Sequence, residues 1–234
     1  MTYWLSPSSL SVLTECPQCF WYEKKQGVKI ERPRGIFPGL PGGYDRVTKD
    51  YFDGFREKGT MPPEKPFQEL ASQGYRFFSD ARKLAQWRNA RTGGIDYYDK
   101  RGNKFYGALD DMLQNKNTGK VVVFDVKTKG DEPPADAMKY NLDQMSAYAF
   151  LLQQNGFEVE DSAILAFYWP IKINPDIERM VHGVRLDRAP VNPQSALDRF
   201  NAALSILEEN KPPEASATCG WCNWLERRLA AKKK

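Results

Sequence analysis

Two aspartates and a lysine are spaced so that they can form one metal site. Asp110 is predicted at the end of the strand that contains Gly107, and Asp125 and Lys127 at the end of the next strand. Residues i and i+2 of a strand point to the same face of a sheet, so Asp125 and Lys127 share one surface. Carboxylates bind Mg²⁺ or Mn²⁺, and a neighbouring lysine can stabilise a phosphate in its transition state. The pattern predicts metal-dependent hydrolysis of a phosphodiester.

The elements around these residues are predicted to hold them rigidly. The apolar run from Val121 to Phe124 is typical of a strand that is buried on both faces. Gln144 and Tyr148 lie four residues apart on a predicted helix and therefore project from one side of it. Each fragment alone is also typical of an ordinary hairpin with solvated charges and an amphipathic helix. Their order and spacing together favour the site.

The chain here resembles the PD-(D/E)xK nuclease superfamily, and its RecB-like branch in particular. Three motifs carry the resemblance: Gly107 to Asp110, Asp125 to Lys127, and Gln144 to Tyr148. The resemblance implies an α/β fold with a restriction-endonuclease-like mixed central sheet flanked by helices. It also implies that Asp110, Asp125, Lys127, Gln144 and Tyr148 are catalytic. Asp110 and Asp125 would bind Mg²⁺ or Mn²⁺, joined by Asp45 and the carbonyl of Val126.

The upstream metal ligand is less defined by the sequence. The family usually places a histidine early in the chain, whereas His182 follows the core motifs and is interpreted as a strand or surface residue. Asp45 stands where that histidine would fall, after a glycine-rich turn. It is either a metal ligand or the N-cap of the helix that follows, because aspartate is common in both positions. Glu69 is the reserve candidate. Asp111 is expected to be a surface residue or to support one.

Four cysteines form two Cys-x-x-Cys pairs near the two ends of the sequence. These are Cys16 with Cys19, and Cys219 with Cys222. Four thiolates can bind one metal centre and so join the N- and C-terminal segments. Disulfide or redox roles are the alternative, but no leader peptide is apparent and a cytoplasmic location, where thiols stay reduced, is expected. The resemblance is closest to the CRISPR-associated spacer-acquisition nucleases, which use one early and three late cysteines to bind a [4Fe–4S] cluster. The two-and-two arrangement here leaves Zn²⁺ as an alternative.

The composition agrees with one enzyme domain. The chain has 234 residues, of which 41% are hydrophobic, and a net charge of +4, which permits nucleic-acid binding. No apolar stretch is long enough for a membrane span. We predict a single nuclease domain over residues 1–234, with a helical part over about 1–92, a core over about 93–210 and a cysteine-bearing part over about 211–234. Basic residues are dense at Lys24-Lys25, Arg32 with Arg34, Arg88 with Arg91, and Arg227-Arg228.

Local patterns predict where the elements begin and end. Ser6 caps a helix that is interrupted at Pro17, an ordered loop covers Ile30 to Gly43, and Pro62, Pro63 and Pro66 break the chain after the next helix. The other predicted helices are Tyr44–Lys58, Ser79–Ala90, one that carries Gln144 and ends at Asn155, and Pro193–Asn210. The other predicted strands are Ile95–Asp99, Ala163–Trp169 and Met180–Leu186.

The sequence therefore predicts a metal-dependent DNA nuclease, acting as an exonuclease or end-processing enzyme on single-stranded DNA. Two further hypotheses belong to other classes. One is a non-catalytic or weakly active DNA-binding subunit of a repair or CRISPR-adaptation complex, with a protein partner. The other is a metal-stabilised interaction module whose acids are structural. The complete set of two acids and one lysine argues against both, because an inactive site need not keep all three.

Overall fold

The computed structural model describes residues 1–26, 39–89, 91, 94–174, 176 and 179–231. The chain divides into two compact units. Unit 1 contains Met1–Phe37, Tyr98–Phe105 and Leu197–Lys234, and unit 2 contains Pro38–Tyr97 and Tyr106–Ala196. Some features named in the sequence analysis lie outside the described residues. They are Arg32, Arg34, Gly93, the terminal lysines and most of the loop that was predicted to begin at Ile30. Within the described ranges, every helix is too short or too polar to cross a lipid bilayer.

The described residues form a mixed α/β fold with sheets flanked by helices. The helices are α1 Pro7–Glu15, α2 Pro17–Lys25, α3 Gly39–Lys58, α4 Lys65–Ser72, α5 Ala81–Trp87, α6 Leu142–Gln154, α7 Pro193–Glu208 and α8 Gly220–Ala231. The strands are β1 Trp4–Leu5, β2 Tyr75–Phe77, β3 Ile95–Tyr98, β4 Lys104–Gly107, β5 Asp111–Asn115, β6 Val121–Thr128, β7 Val159–Asn174 and β8 Arg179–Pro190.

Unit 2 is built on a five-stranded mixed sheet with the order β2-β5-β6-β7-β8. Strand β6 is in the middle, antiparallel to β5 and parallel to β7. Parallel neighbours need a crossover connection, and α6 provides it. Because Met145 to Leu152 of α6 are all buried, this helix is apolar around its whole circumference. The predicted mixed sheet flanked by helices is confirmed.

Aromatic packing fixes α3 against the sheet of unit 2. The ring of Phe52 is buried, and its centroid lies 5.5 Å from that of Phe67, 5.2 Å from Phe77 and 5.7 Å from Phe124. Aromatic pairs at these separations add favourable contact energy to the burial of apolar area. The cluster therefore sets the position of α3 relative to β6.

Unit 1 brings together segments that are distant in the sequence. Strand β1 pairs in parallel with β4, with Trp4 opposite Lys104. The buried rings of Phe105 and Phe200 stack with their centroids 5.1 Å apart. The indole N–H of Trp21 donates a hydrogen bond to the Glu209 carbonyl, at 3.2 Å. These contacts join the start of the chain to α7 and the residues after it.

Several predicted element bounds are wrong. Helix α3 begins at Gly39, so the loop that was predicted to reach Gly43 ends earlier. Helix α4 was not predicted, because Pro66 was interpreted as a break. Proline is tolerated in the first turn of a helix, where its missing N–H has no intrahelical partner, and α4 begins in this way. Helix α5 is shorter than the predicted Ser79–Ala90 and begins after the Asp80 cap.

Candidate active site and cysteine centre

Strand β6 carries Asp125 and Lys127 on one face of the central sheet. The side chain of Asp125 is 1% exposed, and the Lys127 Nζ lies 2.7 Å from its Oδ2. Phe124 and Val126 alternate with these residues and belong to the hydrophobic cluster on the opposite face. The strand is therefore anchored on one side and presents an acid and a cation on the other.

Asp110 lies beside Asp125 because of the register between β5 and β6. Asp110 immediately precedes β5, rather than ending the Gly107 strand as predicted. Asp111 is opposite Phe124 in the antiparallel pair, which places Asp110 next to Asp125. The two carboxylates interact, since the charge of Asp110 acts on the ionisation of Asp125. Residues of two strands thus form one acidic pair.

Two arginines hold the backbone at Asp110 in place. Arg56 Nη2 lies 2.5 Å from Asp111 Oδ2, and Arg88 Nη2 lies 3.2 Å from the same oxygen. Arg88 also donates from Nε to the Asp110 carbonyl, at 2.7 Å, and from Nη1 to Asp53, at 2.6 Å. The expectation that Asp111 is a surface residue is wrong, because its side chain is buried between these guanidinium groups. Arg88 is likewise mostly buried and paired, although it was interpreted as part of a basic surface group.

Helix α3 brings Asp45 to the same acidic group through Lys49. The Lys49 Nζ lies 2.9 Å from Asp45 Oδ2 and 2.8 Å from Asp110 Oδ1. Burial lowers the pKa of Lys49, but Asp110 and Asp45 outweigh it and raise the pKa, so the side chain stays charged. The N-cap alternative for Asp45 is wrong, because α3 begins at Gly39 and Asp45 lies within it.

A chain of hydrogen bonds extends from Lys127 into α6. Lys127 Nζ donates to Gln144 Oε1 at 3.3 Å, and Gln144 Nε2 donates to the Tyr148 hydroxyl at 3.0 Å. Burial, followed by the charge of Asp125, raises the pKa of Tyr148, so its hydroxyl remains neutral. Gln144 therefore orients the Lys127 ammonium, and Tyr148 orients Gln144.

Gly107 leaves the space that the Tyr148 ring occupies. A Cβ at position 107 would lie 2.6 Å from Tyr148 Cε1 and 3.6 Å from Leu151 Cδ1. The glycine is needed for close approach of a helix side chain to the strand backbone. The first residue of the Gly-x-x-Asp motif therefore supports the last residue of the Gln-x-x-x-Tyr motif.

A comparison with family models decides the identity of this arrangement. The model of the PD-(D/E)XK nuclease superfamily matches residues 31–227, which is most of the chain. The chain belongs to the PD-(D/E)XK nuclease superfamily. No curated protein matches the chain significantly. The matched range contains all of the acidic site and the second cysteine pair, and begins after the first pair.

PD-(D/E)XK nucleases use divalent metal ions, and the acidic group of this chain fits one. Apart from the ion pair with Lys127, neither oxygen of Asp125 has a hydrogen-bond partner among the described residues. Burial and then the charge of Asp110 raise the pKa of Asp125 to about 7. A buried carboxylate beside a second one is stabilised by a cation. Asp110 and Asp125 would hold the ion, with Asp45 and the Val126 carbonyl as the further proposed ligands.

The four cysteines form a second group, within unit 1. Each Cys-x-x-Cys pair lies at a helix N-terminus: Cys16 and Cys19 at the start of α2, and Cys219 and Cys222 at the start of α8. Their sulfurs all lie within 4.8 Å of one another. Helix N-termini carry partial positive charge, which favours thiolates there. The predicted joining of the N- and C-terminal segments is confirmed.

The separations between the sulfurs can be compared with those expected for the two predicted cofactors. The Sγ–Sγ distances are 3.9 Å for Cys16 and Cys222, 3.7 Å for Cys19 and Cys219, and 3.5 Å for Cys19 and Cys222. Thiolates that surround one tetrahedral zinc ion at about 2.3 Å lie about 3.8 Å from one another. In a four-iron cluster each thiolate binds a different iron, which adds an iron–iron separation to that distance. These three separations are close to those around a single ion, and the four-cysteine group can bind either a zinc ion or an iron–sulfur cluster.

Cys16 is prepared to bind a cation as a thiolate. Burial raises the pKa of its thiol, but N–H groups of Cys19 and Ser216 outweigh this and lower the pKa to about 7. The Ser216 N–H lies 3.5 Å from the Cys16 sulfur. Burial and the neighbouring sulfurs, in contrast, raise the pKa of Cys222. Four sulfurs this close cannot all ionise without a positive charge between them.

Two sequence candidates lie apart from the acidic group. The Glu69 side chain is 61% exposed on α4 and forms its ion pair with Lys65. His182 is on β8, as the strand interpretation expected, with its ring against Tyr44. Lys49, Arg56 and Arg88 were missed as site residues. Of these three, only Lys49 could have been identified from the sequence, because it lies four residues after Asp45 and therefore on the same face of a helix.

We predict that Gly107→Ala displaces the Tyr148 ring and destabilises unit 2 by about 1–3 kcal/mol, the usual effect of overpacking. Urea unfolding measures this loss. Gly130→Ala is the matched control, because a Cβ at Gly130 meets no atom within 4 Å. Equal stability of the two variants would show that Tyr148 can move aside without cost.

We also predict a pH dependence of stability for the protein without added divalent ions. The pKa of Asp125 rises from 3.8 to about 7 on folding, so the folded state retains this proton more tightly. The stabilisation is complete at low pH and is lost as the pH rises towards 7, at up to about 1.4 kcal/mol per pH unit. Relative to Asp125→Asn, the unfolding free energy of the wild type should fall across this range. A difference that stays constant would mean that Asp125 titrates as an exposed aspartate does.

Proposed function

We propose that this chain is a Mg²⁺- or Mn²⁺-dependent DNA nuclease of the RecB-like branch, which acts on free ends of single-stranded DNA. The observation that carries the proposal is the convergence of Asp110, Asp125 and Lys127 at β5 and β6 of a superfamily member. The preference for single-stranded ends rests on the resemblance to RecB-like nucleases.

The residues of the acidic group have separate roles in this proposal. Asp110 and Asp125 bind the divalent ion, and Asp45 adds a carboxylate from α3. When bound, such an ion lowers the pKa of a coordinated water and neutralises charge on the phosphate. Lys127 donates hydrogen bonds to the phosphate oxygens as negative charge develops there. Gln144 and Tyr148 keep the ammonium aimed at that position.

Lys49 has a further role, because its ammonium already balances the charge of the acids. It lies between Asp45 and Asp110 and holds both carboxylates on the same side of α3. Paired charges at this separation stabilise the arrangement when no divalent ion is present. On ion binding, Lys49 can turn towards the phosphate while the carboxylates bind the ion.

We predict that Lys127→Ala lowers the rate of DNA hydrolysis about 100- to 1,000-fold, because it removes a group that stabilises the transition state. DNA binding and divalent-ion binding should change little, since the carboxylates remain. The control is Lys120→Ala, an exposed lysine just before the same strand. Equal rates for the two variants would contradict the assignment.

The assay should use linear single strands labelled at the 5′ or the 3′ end, circular single strands and duplexes. Loss of linear strands with survival of circles is the expected result for an enzyme that needs free ends. Cleavage of circles would instead indicate an endonuclease. DNA binding without hydrolysis in Mg²⁺ or Mn²⁺ would fit a DNA-binding subunit of a larger complex.

We propose that the four cysteines bind one Zn²⁺ ion, supported by sulfur separations of 3.5–3.9 Å. Such an ion links segments that are about 200 residues apart, and its binding energy becomes part of the folding free energy. Its role is structural, because four protein ligands leave no open position for a substrate.

We predict one zinc per chain and no acid-labile sulfide in protein purified without oxygen. Cys19→Ser should lower the metal content and the melting temperature together. Ser216→Ala is the control, because its backbone N–H to Cys16 is kept. Four irons and four sulfides per chain, with a brown colour, would instead establish the iron–sulfur cluster.

A further inference from the structure

Unit 2 contains a pocket that the acidic site does not use. Its volume is about 500 Å³, within the range of small-ligand sites. It lies between α3, the residue before α4, and the hairpin of β7 and β8. Tyr44 and Tyr51 line it from α3, Glu64 from the start of α4, and Tyr168 and His182 from the hairpin. Four ring side chains therefore form part of its wall.

Two polar atoms in the pocket lack hydrogen-bond partners among the described residues. They are the Tyr168 hydroxyl and the His182 Nε2, both buried. Tyr168 as a whole is 6% exposed, so water does not satisfy its hydroxyl from the surface. An unpaired buried polar group costs free energy, which a ligand with complementary donors and acceptors recovers. Both residues line the pocket, so a ligand that enters it meets the side chains that carry these atoms.

The rings are held by contacts with one another and with neighbouring side chains. The Tyr44 ring packs edge-on against His182, with centroids 5.2 Å apart, and Tyr51 packs edge-on against Phe55, at 4.9 Å. The Tyr51 hydroxyl donates to Glu64, at 3.0 Å from each carboxylate oxygen. The exposed side chains of Val47 and Met180 form the rim.

The pocket adjoins the acidic site along two elements. On α3, Tyr44 precedes Asp45 and Thr48 precedes Lys49. In the sheet, Tyr168 of β7 is opposite Thr128, the residue after Lys127. The Lys129 N–H donates to the Tyr168 carbonyl, at 2.8 Å. The pocket and the acidic group are therefore neighbours along α3 and along the β6–β7 pair, with Tyr168 on the sheet face that carries Phe124 and Val126.

We infer that the pocket binds one unstacked nucleobase of the strand that is being hydrolysed. This inference rests on the proposed nuclease function. Bases stack on aromatic rings and carry donors and acceptors on their edges, which match the Tyr168 hydroxyl and the His182 nitrogen. The charged residue among the described lining residues is Glu64, which repels a phosphate but accepts from a base amino group. The pocket selects single-stranded DNA, because a paired base cannot enter it.

The test measures binding of single-stranded oligonucleotides in a Lys127→Ala background with Mg²⁺, so that the strand stays intact. One strand carries 2-aminopurine and the other carries abasic positions. We expect the base-containing strand to bind about tenfold more tightly, the range for stacking of one base. The fluorescence of 2-aminopurine should be quenched on binding. Tyr51→Leu should abolish the preference and the quenching, whereas Tyr98→Leu, at an exposed tyrosine on β3, should keep both.

Tyr168→Phe removes the hydroxyl while it keeps the ring, so the variant separates recognition from folding. The variant should retain the quenching of 2-aminopurine. If the wild type binds the four single-stranded homopolymers with different affinities, the variant should bind them with similar affinities. If the Lys127→Ala chain binds base-containing and abasic strands equally while the wild-type chain hydrolyses DNA, the pocket inference alone would be overturned. A wild-type chain that neither binds nor hydrolyses DNA would overturn the nuclease function and the inference that rests on it.

Discussion

The interaction on which unit 2 depends is the repulsion between Asp110 and Asp125, held side by side with Asp125 out of water. Burying a carboxylate is unfavourable, and a second one beside it adds to the cost. The surrounding structure offsets this in two ways. Lysines from α3 and β6 contact the two carboxylates directly. Arginines from α3 and the end of α5 fix the backbone on which Asp110 stands.

The hydrophobic core makes this concentration of charge possible. Phe124 and Val126 anchor β6 from the opposite face, and Phe52 anchors α3 against them. The residues that neutralise the acids are therefore on elements that cannot move apart. The ammonium groups of Lys49 and Lys127 thus partly neutralise the carboxylates, as a bound metal ion would. A divalent ion would compete with the ammonium groups of Lys49 and Lys127, because the buried arginines pair with Asp111 instead.

The sequence predicts those parts of the site that depend on local periodicity. Asp125 and Lys127 share a face because side chains alternate along a strand, and Gln144 and Tyr148 share one because of helical spacing. The arginine pairs of Asp111 could not be predicted, since Arg56 and Arg88 come from elements that meet only after folding. The cap alternative for Asp45 assumed a helix that begins after Gly42 and Gly43, whereas packing of α3 on the sheet outweighs the low helix propensity of glycine.

The two cysteine pairs set a temporal order on folding. Unit 1 needs residues from the start of the sequence, from the β3–β4 region and from beyond Leu197. During synthesis the first pair leaves the ribosome about 200 residues before the second, so the thiolates of Cys16 and Cys19 wait without their partners. Unit 2 can complete its sheet and its acidic site in that interval. Capture of a metal by the four thiols would then be the last event, and it would occur only in chains whose C-terminal helix has been made.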